Sequence, residues 1–328
     1  MSATPIKDAL DVQELLRHAE VAQNAELICV QPSDFRAELD DLWERGLPPG
    51  DRTGWPSLDK HYTVAPGHVT IVTGWPGSGK SEFLDALCMN LAKNAGWRIA
   101  FYSAENKPSQ IHVVKLAEKF SGMPFGDGPT PRMTREEMHE IVGEISEFFG
   151  FMCPVALSKR DIFTLDHILT SAEEWFRSSG IWKSKDQKRG LVIDPWNELE
   201  HSYPSHWSET QYISACLSGI RAWARTNDIH VWVVAHPQKL RRDDNGKLPV
   251  PRPDSISGSQ HWWNKADNCI AVWREFESED TGIGRVERNL TTIQVQKVRF
   301  KHIGRQGAID LRYDRVTGRY SERLTAVA

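Results

Sequence analysis

The chain has 328 residues, enough for one large domain or two ordinary ones with a core that needs neither disulfides nor metals. Its 40 Lys and Arg against 44 Asp and Glu give a net charge of -4, which excludes a protein that coats nucleic acid through overall basicity, so any polyanion must bind locally. Five widely spaced cysteines (Cys29, Cys88, Cys153, Cys216, Cys269), without C-x-x-C or zinc-ligand spacing, and the lack of a membrane-length apolar stretch or a signal-peptide core in MSATPIKDAL, predict a reduced cytoplasmic setting and no membrane.

The acidity sits at the N-terminus, where the first 60 residues carry six basic and twelve acidic side chains. From Asp8 to about Arg45 the pattern predicts helices broken near Gln31-Pro32-Ser33. Ser33 reads as an N-cap, and Phe35, Leu39, Leu42 and Trp43 fall on one face. This is an amphipathic arm with no core of its own. The Pro- and Gly-rich LPPGDRTGWPS marks a boundary near residues 47 to 57, dividing the chain into a helical arm at 1–49 and a larger unit at 50–328.

Beyond the boundary, Val- and Ile-rich runs alternate with helical patterns. The predicted strands are 68–74, 98–105, 154–158, 190–195, 230–237, 268–273, 291–300 and 308–314. Strands this uniformly apolar are buried on both faces, so the fold class is α/β, a mostly parallel sheet flanked by helices. The last strands follow one another without helices, which predicts an antiparallel or mixed edge. Ser81 is expected to open a helix ending at Gly96, and Ser208 with Gln211 to cap a helix ending near Asn227. Thirteen tryptophans suggest a heavy core or stacking platforms, with core the expectation for most.

Directly after the first strand comes G-W-P-G-S-G-K-S, Gly74 to Ser81, a phosphate-binding loop in its strand-loop-helix context. Gly74, Gly77, Ser78 and Gly79 would curl backbone N–H groups round a β-phosphate, Lys80 would reach the β- and γ-phosphates, and the Ser81 hydroxyl would ligate Mg²⁺. ATP and Mg²⁺ are therefore the expected ligands. Asp194, closing L-V-I-D, is the candidate second holder of the metal, with a helix cap or turn carboxylate as the simpler reading. Glu105 closes F-Y-S-A-E-N as the candidate water-activating carboxylate, with Asn106 placed to orient it; a helix cap is the alternative. His236 ends V-V-A-H-P, where a neutral imidazole could donate to the γ-phosphate and report its loss, although a lone strand-end His is usually structural.

T-G-W-P-S-L-D-K (53–60), the Gly74 loop, S-A-E-N, V-I-D-P-W-N-E-L, V-V-A-H-P, I-S-G-S-Q-H-W-W-N-K-A-D-N and Q-K-V-R-F together resemble the RecA-type motor domain of hexameric replicative helicases over roughly residues 50 to 320. Within that group they are most similar to Twinkle and the phage primase-helicases, and more distantly to DnaB, which has Gln at the His236 position. The resemblance implies a RecA-like core preceded by a linker arm that docks on the next subunit. It further implies that Lys297 and Arg299 enter the neighbour's ATP site, with Arg299 as an arginine finger, and that Arg274 and Tyr313 sandwich the adenine. Read from the residues alone, Q-K-V-R-F-K-H-I-G-R has four basic residues and no acidic ones, with a solvated charged edge as the alternative.

Two loops are candidates for DNA. One spans 239–252, with Lys239, Arg241 and Arg242; the other spans 255–267, with Gln260, Asn264 and Lys265 as phosphate ligands and Trp262 and Trp263 as stacking or packing groups. Ser257 stands where phage relatives place a DNA-contacting Arg, so the resemblance does not carry over there. Neither a zinc module nor a TOPRIM-type module fits before residue 50, so a helicase-only protein or the motor half of a primase-helicase is expected. The leading expectation is a Mg²⁺-ATP-dependent ring helicase of DNA replication, a homo-oligomer, hexameric by resemblance. It would translocate 5′ to 3′ on single-stranded DNA in a bacterial or phage-infected cell, with a primase as a further partner. A RecA-fold regulatory or recombinase-type ATPase that assembles without unwinding DNA is the alternative, and a nucleotide or small-molecule kinase is a weaker one.

Overall fold

Side chains on successive residues of an extended strand point to opposite faces, and here both faces are apolar. In the computed structural model, which describes residues 29–153, 163–182, 184, 186–238, 249–256, 258, 260–274 and 289–323, nine strands form one sheet in the order β3-β2-β4-β5-β1-β6-β7-β8-β9. The strands are β1 (Val69–Thr73), β2 (Arg98–Ser103), β3 (Phe149–Phe151), β4 (Arg189–Asp194), β5 (Ile229–Val234), β6 (Asn268–Trp273), β7 (Leu290–Val298), β8 (Gly307–Tyr313) and β9 (Tyr320–Glu322). The first six run parallel. The other three form an antiparallel extension, as the helix-free end of the sequence requires.

The alternation divides the core cleanly. Val192, Trp232 and Val234 face one hydrophobic cluster with the Lys80–Ala95, Ser109–Ser121 and Arg135–Ser146 helices. Their neighbours Leu191, Ile193, Val231 and Val233 face another, with the Leu165–Ser178 and Glu209–Asn227 helices. Seven of the thirteen tryptophans are buried and Trp43 alone is largely exposed, so the tryptophan excess belongs mainly to the core.

Several boundaries differ from the sequence reading. The third strand lies at Phe149–Phe151, a three-residue Phe-Gly-Phe too short to show a period, whereas residues 154–158 and the first predicted helix before residue 29 lie outside the described residues. β9 was not foreseen for the same reason of length. Ser208 and Gln211 do form the capping box of the Glu209–Asn227 helix. Ser33 caps nothing; it lies inside a 3-10 turn, Pro32–Phe35, ahead of the helix Arg36–Arg45. That helix buries no residue and exposes Leu39, Leu42 and Trp43, with Phe35 exposed just ahead of it.

Trp232 is fully buried, donates its indole N–H to the Tyr62 hydroxyl at 3.1 Å and packs against Trp97 and His230. Trp232→Ala is expected to destabilise the fold by about 3–5 kcal/mol, read as a lower denaturant midpoint at unchanged slope.

Candidate nucleotide-binding site

Parallel strands bring their C-terminal ends to one edge of the sheet, and the loops at that edge carry the chemistry. β1 leads into Gly74, whose φ is 157°, and into Gly77 and Gly79 at φ 75° and 91°, in the left-handed region open to glycine. A side chain at Gly74 would collide with the Val272 carbonyl oxygen, so the loop lies directly against β6. Gly79, not Ser81, occupies the N-cap of the Lys80–Ala95 helix, which ends at Gly96 as expected. The loop therefore presents main-chain amides at a helix N-terminus, an arrangement suited to a phosphate.

The Lys80 ammonium is buried and donates to the Gly74 and Trp75 carbonyls at 3.1 and 3.2 Å. Burial lowers its pKa, against the opposing pull of Asp194 and Glu105. Asp194 closes β4 at 3 % exposure. Desolvation pushes its carboxyl up to about 6, partly offset by a hydrogen bond from Ser81. Its Oδ1 and the Ser78 hydroxyl are buried with no hydrogen-bond partner among the described residues. A buried acid with an unsatisfied oxygen, bonded to the serine that follows the loop lysine, fits a hard divalent cation.

Glu105 follows β2 and stays half-exposed, with its Oε1 3.5 Å from His236 Nε2, an electrostatic contact at the outer limit of hydrogen bonding. Burial and the Lys80 charge lower the His236 pKa, so its imidazole is neutral near pH 7. Asn106 does not orient Glu105: it donates to Ser103 Oγ at 3.0 Å and accepts from Lys115 at 2.8 Å. The residue that positions this corner is Asn197, whose Oδ1 accepts the His236 backbone N–H at 2.9 Å. Only its place in V-I-D-P-W-N-E-L could have signalled it.

Arg274 ends β6 beside the loop, with its guanidinium 5.1 Å from the Tyr313 ring centre and a bond to Thr291. A base between the two would need about 7 Å, two van der Waals layers, so the pair must part by about 2 Å. Tyr320, which sequence reasoning missed, brings its hydroxyl 3.1 Å from where a Gly79 side chain would start.

Lys297 and Arg299 lie elsewhere. β7 is antiparallel to β6, pairing Thr292 with Trp273 and Val298 with Asn268, so these two residues sit at the opposite edge of the sheet from Gly74–Ser81. β6 separates the edges by about 16 Å at about 3.3 Å per residue. A bulge between Cys269 and Ile270 adds Gln296 to β7. Beyond it, Lys297 donates to the Ala266 carbonyl at 2.9 Å, Arg299 donates to the same carbonyl at 3.2 Å, and Arg299 Nε is 2.9 Å from Asp267 Oδ1.

The DNA candidates divide. Gln260 and Asn264 are exposed. Trp262 is fully buried, edge-on to Trp196 at 5.3 Å, so it is a core residue and offers no face to a base. Lys265 is turned onto the Glu209–Asn227 helix, donating to the Ser214 carbonyl and hydroxyl at 2.6 and 2.7 Å and to Ser218. It is a helix-docking lysine, not a free phosphate ligand. Lys239, Arg241, Arg242 and Ser257 lie outside the described residues.

A strand–glycine loop–helix unit with an acid at the end of β4, separated from β1 by β5, defines a nucleoside-triphosphate-binding protein of the phosphate-loop class. Residues 50–322 match the family of the DnaB-like helicase C-terminal domain, and the chain belongs to that family. It is 39 % identical over 295 residues to the chloroplastic/mitochondrial Twinkle homolog of Arabidopsis thaliana, covering 88 % of this chain but 39 % of that protein. The chain thus spans about two fifths of the relative's length. That relative's location gives no support to the bacterial or phage-infected setting expected from the sequence. Among solved structures, an ATPase domain matches with a TM-score of 0.70 at 17 % identity, covering 90 % of this chain and 100 % of that one. A DnaB-like replicative helicase, studied with its primase interactions, matches at 0.69 and 17 %, over 97 % and 75 %. These likenesses establish the RecA-like fold. Among the described residues, no helix is long and apolar enough to cross a membrane.

An acid whose folded pKa exceeds its ordinary value of 3.8 favours the folded state at low pH, and that contribution is lost as pH rises from about 4 through about 6. Asp194→Asn is therefore expected to raise thermal stability at pH 7.5, by the equivalent of about 1–3 kcal/mol, and to lose that advantage near pH 4. Melting curves of both proteins at the two pH values check it.

Proposed function

We propose that the chain is the motor of an ATP-driven DNA helicase of DNA replication, working as a ring of identical subunits, hexameric by family resemblance, that translocates 5′ to 3′ on single-stranded DNA. One observation carries the reading. Lys80, Ser81, Glu105, Asp194 and His236 converge on one edge of the sheet while Lys297 and Arg299 stand on the opposite edge, so a site using all seven needs two chains.

In this reading the triphosphate of ATP lies on the loop amides, with Lys80 leaving the Gly74 and Trp75 carbonyls for the β- and γ-phosphates. Ser81 and Asp194 hold Mg²⁺, which neutralises phosphate charge when bound. Glu105, open to solvent, takes the proton of the attacking water. Neutral His236 donates to the γ-phosphate, with Asn197 fixing its main chain. Arg299 of the adjacent subunit stabilises the charge that builds on the transferred phosphoryl, an effect of about 10³ to 10⁵ in rate. Arg274 and Tyr313 bind the base. The unit at 50–328 is the motor, and the arm at 1–49, through the exposed apolar side of Arg36–Arg45, docks on a neighbour. Single-stranded DNA meets Gln260, Asn264 and the 239–252 segment with Lys239, Arg241 and Arg242, and a primase is a proposed further partner.

Single-stranded DNA is expected to stimulate ATP hydrolysis, which separates a helicase motor from an assembling ATPase without DNA work. Glu105→Gln should keep ATP binding and lower turnover by about 10² to 10⁴. Near-normal turnover would remove Glu105 from the mechanism.

Arg299→Ala and Glu105→Gln subunits, each inactive alone, should regain activity on mixing, because each mixed interface of one order has both groups intact. Verified subunit exchange without recovery would sink the two-chain site.

A further inference from the structure

The I-S-G-S-Q-H-W-W-N-K-A-D-N motif contains a carboxylate that no step above uses. Asp267 is wholly buried, yet three guanidinium groups surround it: Arg299 Nε at 2.9 Å, Arg225 Nη2 at 3.3 Å and Arg221 Nε at 3.8 Å. His68 and Lys297 also feel its charge. A fully desolvated carboxylate is unfavourable unless it is paired and hydrogen-bonded, and Asp267 is both. Its Oδ2 accepts the Val69 N–H at 3.1 Å, while its own N–H donates to the Val69 carbonyl at 2.9 Å. Asp267 is therefore fastened to β1 at two points and cannot follow a moving partner.

Arg299 is held to it twice, through its main-chain N–H on the Asp267 carbonyl at 2.9 Å and through the ion pair of its side chain. The Nε contact is a charge pairing off the N–H axis at a buried atom, and Nη2 donates to the Ala266 and Asn264 carbonyls at 3.2 and 3.4 Å, so the guanidinium is restrained on its inner side while the side chain stays 27 % exposed. One carboxylate among three arginines leaves local charge positive, which suits a surface that meets the phosphates of another chain.

We propose that Asp267 is the positioning residue of Arg299: anchored to β1, its carboxylate aims the guanidinium at the nucleotide of the adjacent subunit, with Arg225 and Arg221 sharing the same anchor. The proposal rests on the two-chain site described above. A purely structural Asp267, stapling β1 to the start of β6, would act on its own chain, whereas a positioning residue acts across the interface with the same polarity as Arg299.

The test uses the assembled protein with Mg²⁺-ATP. Asp267→Asn removes the charge and keeps the shape. Its turnover should fall by about 10²-fold, the penalty of a catalytic group misplaced by about 1 Å, while ATP affinity, set at the other edge of the sheet, stays within about twofold. Mixed with Glu105→Gln subunits, Asp267→Asn should recover activity; mixed with Arg299→Ala subunits it should not, since both damage the same half of each interface. Asp267→Glu, which keeps the charge on a longer arm, should show the same pattern with a smaller loss, and serves alone if the Asn variant does not fold. Recovery of either Asp267 variant with Arg299→Ala, or a loss of ATP affinity matching the loss of turnover, overturns the proposal. So does failure with Glu105→Gln when Arg299→Ala succeeds with it. If Arg299→Ala itself fails to complement Glu105→Gln, the two-chain site falls, and the proposal with it.

Discussion

A sheet sandwiched between helices has no face left for polar work. In this chain β1, β4 and β5 are buried along their whole length, and any polar group placed on those faces would be desolvated at a cost of several kcal/mol unless it were paired. Chemistry is confined to the strand ends. Because β1, β2, β4, β5 and β6 run parallel, their C-terminal ends gather Gly74, Glu105, Asp194, His236 and Arg274 on one edge without any of these residues being near the others in sequence. The antiparallel return of β7 then delivers Lys297 and Arg299 to the other edge. Two separate constellations on one chain are a consequence of strand direction, before any side chain is considered.

At the first edge, electrostatics follow from the same confinement. Asp194 is held in an environment that favours its neutral form, Lys80 in one that disfavours its cation, and each partly relieves the other. A site built of strained opposite charges responds strongly to a bound polyanion and cation, because new partners satisfy groups that water cannot reach.

How much of this was legible in the sequence depends on the length scale of the signal. The Gly74–Ser81 loop is readable because its φ values and its amide geometry demand glycine at set intervals, and the seven longer strands are readable because each has room for a pattern: five apolar residues in a row at Val231–Ala235 and Cys269–Trp273, shorter apolar runs in β1, β2 and β4, and alternation in β7. Phe149–Phe151 and Tyr320–Glu322 are too short to carry a period. Trp262 and Trp263 show the limit for side chains: adjacent aromatics cannot both face inward on a helix, and the string W-W does not say which one does. The structure buries Trp262 and leaves Trp263 half-exposed beneath Arg252. Lys265 shows a related limit, since a lone lysine in a polar loop looks like a phosphate ligand until the Ser214 and Ser218 hydroxyls, about fifty residues earlier, are brought beneath it. Asp267 and its arginines belong to the same class of long-range arrangement.

β7 spans Leu290–Val298, about 30 Å at about 3.4 Å per residue, and is hydrogen-bonded to β6 and to β8. Thr291, near one end, receives Arg274 beside the phosphate loop; Arg299 lies just past the other end. Paired on both flanks over Thr292–Val295, the strand joins the two edges of the sheet through one continuous backbone. The β8 flank ends at Val295, next to the Gln296 bulge, so the stretch that leads to Arg299 is laddered to β6 on one flank only.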